Sequence, residues 1–170
     1  MGVQTKTIAP VAEPAEPLCD DLCWLLSRAS YTLTTELTAA MEHVGLSPRA
    51  HAVLSAAMTG EYTQTELAKM VGLDKTTMVV TLDELETAGL AERKQLPTDR
   101  RARVIAVTKS GEKKVREAHE IAEKIRADVL DTLPPREREV FIEALSKLVR
   151  ERLNEPTPCS QPIRRRAPRA

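Results

Sequence analysis

The chain is 170 residues long with 25 basic and 25 acidic side chains; the length suits one domain, and neutrality excludes a global polycation, leaving any nucleic-acid affinity to a local patch. Aromatic residues are only 2% of the composition, against 42% hydrophobic residues overall, so the core has to be Leu, Val, Ile, Ala and Met, the mixture of packed helices. Cys19, Cys23 and Cys159 are too few and odd in number for a disulfide framework and form no CxxC or Cys/His cluster, and no apolar run reaches membrane-span length; a cytoplasmic protein without metal, cofactor or membrane partner is expected.

Residues 1–17, rich in Pro, Ala and Glu, read as a disordered arm. From Leu22 to Val44, Leu25, Leu26, Ala29, Leu33, Leu37, Ala40 and Met41 recur at three- or four-residue steps, one apolar face of a long helix that Gly45 ends. Ser47 and Pro48 open a second helix through His51, Leu54 and Met58 to Gly60. Thr63 and Glu66 match a capping box, which predicts a third helix from Gln64 to Val71, stopped by Gly72. Asp74 caps a fourth whose Met78, Leu82 and Leu85 face inward before Gly89. A short helix, a glycine turn and a longer capped helix make a helix-turn-helix over residues 64–88.

Alternating residues from Leu90 to Gln95 and from Arg103 to Thr108 then flank the loop 96–102 as a β-hairpin, a wing over residues 91–108. Thr108 caps a long helix carrying Val115, Ala118, Ile121, Ala122, Ile125 and Val129, and Pro134 and Pro135 start another through Phe141, Leu145 and Leu148. The expected fold is mainly α with a small β-hairpin wing, a winged helix-turn-helix embedded between dimerisation helices. The core domain spans 18–153, its DNA-binding part about 47–108. The apolar stripes of residues 18–46 and 109–153 exceed what the winged part can cover, which predicts a two-fold homodimer. Residues 154–170 read as a disordered basic tail whose Arg164, Arg165 and Arg166 can hold phosphates loosely.

Charge locates the function. Between Glu92 and Arg116 nine basic side chains face three acidic ones, a concentration that a wing used for protein contacts alone has no need of. A helix enters the major groove with its first turns against the bases, so the contacts expected from the fourth helix are Lys75, Thr76, Thr77, Val80 and Thr81, with Val79 also outward. Lys75 suits guanine or phosphate, the Thr hydroxyls suit phosphate, and Val80 and the Thr methyls suit thymine methyls. Thr63 and Gln64, at the start of the third helix, join them. On the wing, Asp99 can aim Arg101 into a narrow minor groove, while Arg93, Lys94, Arg100 and Arg103 serve flanking phosphates. The partner is double-stranded DNA. No Ser/His/Asp, Cys/His or paired-carboxylate constellation suggests an enzyme, and Asp83, Glu84 and Glu86 read as the outer face of a helix.

Residues from about Leu18 to Leu153 resemble winged-helix regulators of the multiple-antibiotic-resistance regulator (MarR) family, above all over TQTELAKMVGLDKTTMVVTLDELETAGLAERKQLPTDRRARVIAVTKSG, Thr63 to Gly111. The D-x-R at Asp99 and Arg101, followed by a strand and T-x-x-G at Thr108 to Gly111, is that family's wing signature. The resemblance implies a homodimer, a recognition helix at about residues 75–88, minor-groove insertion by Arg101, and repression, often of a stress or efflux operon, until a ligand or oxidant releases the DNA. In one departure, Val79 or Val80 stands where many members carry an arginine. Members often bind phenolic anions between the dimerisation helices and the winged part, which makes Trp24, Tyr31, His43 and His51 the candidates for an inducer pocket. The motif Leu22-Cys23-Trp24-Leu25-Leu26 resembles the hydroperoxide-sensing branch, with Cys23 in the reactive position. Leu37 and Ser47 replace the two tyrosines that activate that thiol, so Cys19 and Cys23 are read as small core residues. A thiol-based oxidative-stress sensor through Cys23 is the alternative.

Overall fold

The structure, a computed structural model, describes residues 16–95, 103–155 and 157. Nearly all of the N-terminal arm, the wing tip with Asp99, Arg100 and Arg101, and most of the tail with Cys159 lie outside the described residues. Helix begins earlier than the arm's composition suggests, with a single turn, α1 (Glu16–Cys19).

Asp21 accepts a hydrogen bond from the Trp24 amide at 2.7 Å and so starts α2 (Leu22–Met41). The expected run to Val44 is not α-helical to its end. It tightens into a 3-10 turn over Glu42–Val44, and Gly45, at φ 70°, takes the left-handed conformation that closes it. Ser47 and Pro48 then start α3 (Pro48–Ala57), with the Ser47 hydroxyl accepting from the Ala50 amide at 3.1 Å. Both halves of the expected capping box form at α4 (Gln64–Met70): Thr63 accepts from the Glu66 amide, and Glu66 accepts from the Thr63 amide at 2.7 Å. Asp74 accepts from the Thr77 amide at 2.9 Å and opens α5 (Lys75–Thr87).

The wing is an antiparallel pair, β1 (Ala91–Gln95) and β2 (Arg103–Val107), in register from Ala91 opposite Val107 to Gln95 opposite Arg103. A further link was not visible in the pattern of residues. The Ile105 amide donates to the Tyr62 carbonyl at 2.9 Å, and Thr63 bridges Val104, so β2 is tied to the segment that enters α4. The wing and the helix-turn-helix therefore share backbone hydrogen bonds.

Thr108 starts α6 (Lys109–Leu130) by accepting from the Gly111 amide at 3.1 Å, while its hydroxyl donates to the Gly89 carbonyl at 2.8 Å. Gly111 is there because nothing larger fits: a Cβ at this position would lie 2.1 Å from the Leu90 carbonyl oxygen. The T-x-x-G signature is thus the joint between wing and α6, one residue holding the end of α5 and the other admitting the backbone that follows it.

The chain divides into two units, Met1–Ile125 and Arg126–Ala170. In the first, Met41, Val53, Leu54, Leu67, Met78 and Leu82 are fully or almost fully buried, with Ala91, Ile105, Val115 and Ala118 completing the core. It is aliphatic, as the composition requires, and each such side chain contributes roughly 1.5–3 kcal/mol of burial. In the second, Arg138 holds the turn before α7 (Pro135–Arg150) through the Leu133 carbonyl and the Asp131 carboxylate. No side chain of α7 is buried: Val140, Phe141, Leu148 and Val149 are exposed. On α2, Leu22, Leu25, Tyr31 and Leu33 are exposed as well. Of the apolar stripes read from the sequence, Met41 at the end of α2 and Val115, Ala118 and Ile125 on α6 are buried, while the start of α2 and the length of α7 are uncovered within this one chain.

Candidate nucleic-acid interface

The cap at Asp74 sets where α5 starts, and its packing against the core decides which side chains face outward. Asp74 and the two turns after it orient the helix so that Met78, Leu82 and Leu85 enter the core, which leaves Lys75, Thr76 and Val80 exposed and Val79 half-exposed. Two of the expected contacts are spent elsewhere. Thr81 is not outward: it is 2% exposed, and its hydroxyl donates to the Thr77 carbonyl at 2.8 Å, because position 81 shares the inward face with Met78 and Leu85. Thr77 is half-buried, and its hydroxyl donates to Asp74 at 2.6 Å. The Thr77 hydroxyl first, and then the Thr77 amide, hold the Asp74 carboxyl below its usual range. At the start of α4 the Thr63 hydroxyl likewise donates to Glu66 at 2.8 Å, and Gln64 is half-exposed. The Thr63 amide, then its hydroxyl, hold the Glu66 carboxyl down in the same way.

Arg93 also departs from expectation. A phosphate contact needs a guanidinium turned to solvent, but this side chain is only 22% exposed and lies between two carboxylates of α5. It meets Asp83 at 2.8 Å and closes on Glu86, whose other oxygen accepts from the Arg93 amide at 2.9 Å. Asp83 is on the outer face of α5, as its position in the sequence suggests; Glu86 is half-buried and faces the wing. Reading charges by sequence segment missed this pairing, since it joins residues seven and ten apart across an element boundary. Lys94 and Arg103 are exposed on the wing strands, with Lys94 2.7 Å from Glu92. The tip residues Asp99, Arg100 and Arg101 lie outside the described residues.

The candidates for an inducer pocket are not all brought together. A cavity of about 280 Å³ is lined by His43 and Val44 and by Glu117, Glu120, Ile121 and Lys124 of α6. Of the four candidates His43 lines it. His51, on α3, stacks on His119 of α6 with ring centroids 6.3 Å apart, and its Nε2 is buried without a hydrogen-bond partner among the described residues. Burial first, and then the neighbouring His119, lower the His51 pKa from its usual 6.5. Trp24 is half-exposed and Tyr31 is 69% exposed on α2. Cys19 and Cys23, read as core residues, are exposed in this chain; the apolar residues Leu22 and Leu25 at the same end of α2 are exposed as well. Among the described residues no group of three or more metal-ligating side chains occurs, and no helix is long and apolar enough to cross a membrane.

A helix-turn-helix whose second helix is followed at once by a two-stranded hairpin, hydrogen-bonded back to the motif's entrance, defines a winged helix-turn-helix protein. Residues 44–102 match the model of the MarR family. Over that segment the chain is similar to the MarR family of winged-helix transcriptional regulators, and solved structures extend the likeness of fold to most of its length. Among solved structures it is similar to CouR from Rhodococcus jostii RHA1 bound to p-coumaroyl-CoA, at 26% identity and a TM-score of 0.73 over 86% of this chain and 100% of that one. A MarR-family transcriptional regulator from Rhodococcus sp. RHA1 matches at 26% identity and a TM-score of 0.71, covering 84% of this chain and 100% of that one. The transcriptional repressor CouR bound to a 23-mer DNA duplex matches at 26% identity and a TM-score of 0.71, over 79% of this chain and 96% of that one.

Proposed function

We propose that this chain is a dimeric, sequence-specific DNA-binding regulator, a repressor that leaves a pseudo-palindromic operator when a small phenolic-type ligand binds. The observation that carries the reading is the coupling of the exposed start of α5 to a basic wing, made by Arg93 across Asp83 and Glu86 and by β2 across Tyr62 and Thr63. Such a coupling gives a major-groove helix and a minor-groove hairpin one fixed spacing. Residues of about 47–108 form the DNA-binding part, and segments 18–46 and 109–153 meet a second copy through the apolar residues that α2 and α7 expose. Two-fold symmetry then sets half-sites about 34–36 Å apart. CouR is bound to duplex DNA in one similar structure and to p-coumaroyl-CoA in another, which supports both a duplex partner and a phenolic inducer class here. The cavity at His43 is the place for the inducer's ring, with Lys124 available to an acid group.

Arg101→Ala tests the wing's part in this reading. Operator affinity is expected to fall on the order of 10- to 100-fold with the melting temperature unchanged. Unchanged affinity would remove Arg101 from the interface. A second reading is release by oxidation of the Cys23 thiol, which is exposed in the single chain and would have to stay reachable in the dimer. In that case Cys23→Ser binds DNA normally and no longer releases it with peroxide; release equal to wild type excludes the thiol sensor.

A further inference from the structure

The outward face of α5 has an unusual chemistry for a base-reading helix. Lys75, at its first position, is its single basic residue, and the helix contains no Arg, Asn or Gln. Of its three carboxylates, Asp83 and Glu86 are held by Arg93 and Glu84 lies beyond the first two turns. With Thr81 buried and the Thr77 hydroxyl bound to Asp74, the exposed side chains of the first two turns are Lys75, Thr76 and Val80. Val80 keeps 49% of its surface exposed. Thr76 precedes it by four residues and so lies on the same face.

Each base pair offers the major groove a different pattern, and side chains match it by type. Guanine is read by Arg or Lys, adenine by Asn or Gln, cytosine by a carboxylate, and thymine through its C5 methyl by apolar groups. Beyond Lys75, the first two turns of α5 have the means for the last of these. Valine suits the task because branching at Cβ confines it essentially to one rotamer in a helix, so its methyls are presented as a fixed surface.

We propose that α5 specifies its operator through the C5 methyl of a thymine in each half-site, packed against the Val80 side chain and flanked by the Thr76 methyl. The inference rests on the DNA-binding reading above and adds the group that is read. Removing one methyl from such a contact weakens binding roughly 4-fold, and removing it from both half-sites roughly 14-fold.

The test uses the full chain and duplexes that it selects from a random-sequence pool. Each thymine of the selected duplex is replaced in turn by deoxyuridine, which deletes the methyl and leaves the major-groove hydrogen-bonding groups in place. One thymine per half-site is expected to show the roughly 4-fold loss, and Val80→Ala, at an exposed position, is expected to melt as wild type does and to distinguish the thymine from the uracil duplex less than wild type does. Selected binding that is indifferent to uracil at every position would overturn the proposal, as would a Val80→Ala variant that distinguishes the two duplexes as strongly as wild type does. Failure to select any sequence would overturn the DNA-binding reading itself and this inference with it, a result distinct from sequence-selective binding that ignores the methyl.

Discussion

Arg93 and Glu86 join the wing to α5 twice: the Arg93 amide donates to one oxygen of the Glu86 carboxylate at 2.9 Å, and the guanidinium closes on the other. The pair is partly shielded, with side-chain exposures of 22% and 30%. Its effect is therefore larger than that of the open ion pairs on α6 between Lys113 or Lys114 and Glu117, which contribute about 0–1 kcal/mol.

Arg93→Met is expected to destabilise the fold by roughly 1–2 kcal/mol, less than for a fully buried pair because water still reaches both groups. Glu86→Leu in the same chain should recover part of that loss, and a double-mutant cycle read by urea unfolding measures the coupling. The same variant separates positioning from phosphate contact. A lost phosphate contact lowers the slope of log affinity against log salt by about 0.9, whereas a positioning role leaves the slope as it was and lowers affinity at every salt concentration. The second outcome is the one expected of Arg93.

Gly111→Ala places a Cβ against the Leu90 carbonyl oxygen and 2.8 Å from a methyl of Val107. Both neighbours belong to the joint between α5, the wing and α6, so neither can give way cheaply. A loss of about 1–3 kcal/mol is expected, seen as a lower urea midpoint. A variant as stable as wild type would mean that the joint is looser than its geometry implies.

The stacked imidazoles set a pH dependence. Because burial and His119 lower the His51 pKa from 6.5, the folded protein binds fewer protons here than the unfolded chain. The stability tied to a neutral His51 is present in full above pH 6.5 and is lost as pH falls below that value toward the lowered pKa. His51→Leu is expected to flatten this part of the stability-against-pH curve. An unchanged slope between about pH 7.5 and 5.5 would show that His51 titrates as a solvated histidine does.

The capping carboxylates act in the same direction at lower pH. Hydrogen bonds from Thr77 and Thr63 depress the pKa values of Asp74 and Glu66, so their contributions are present above the unfolded carboxylate values and disappear as acid protonates them. Asp74→Ala is expected to shift the onset of acid unfolding less than its effect at neutral pH, since acid has already removed what the carboxylate supplies.

Much of this architecture was legible because its signals are local. Ser47-Pro48, Thr63-x-x-Glu66 and Asp74 each announce a helix within four residues, and the β-branched run at Val104 to Val107 announces a strand. What escaped was settled by contacts between elements. The different exposures of Thr77, Thr81 and Val80 depend on how α5 is rotated against the core that contains Leu54 and Leu67, which a run of β-branched residues does not encode. Arg93 counts as one more positive charge until Asp83 and Glu86 fold back onto it. The exposed state of Cys23, like the bare apolar face of α2, belongs to the surface proposed to meet a second copy.

A salt titration of the purified protein on the DNA upstream of its own gene tests the central claim most directly. Two chains should bind one duplex with half-sites a helical turn apart, and with roughly 6–10 phosphates neutralised the affinity should fall by about 10³–10⁵ between 50 and 200 mM salt. Absent binding, or binding that salt leaves unchanged, would contradict the assignment of α5 and the wing to a DNA duplex.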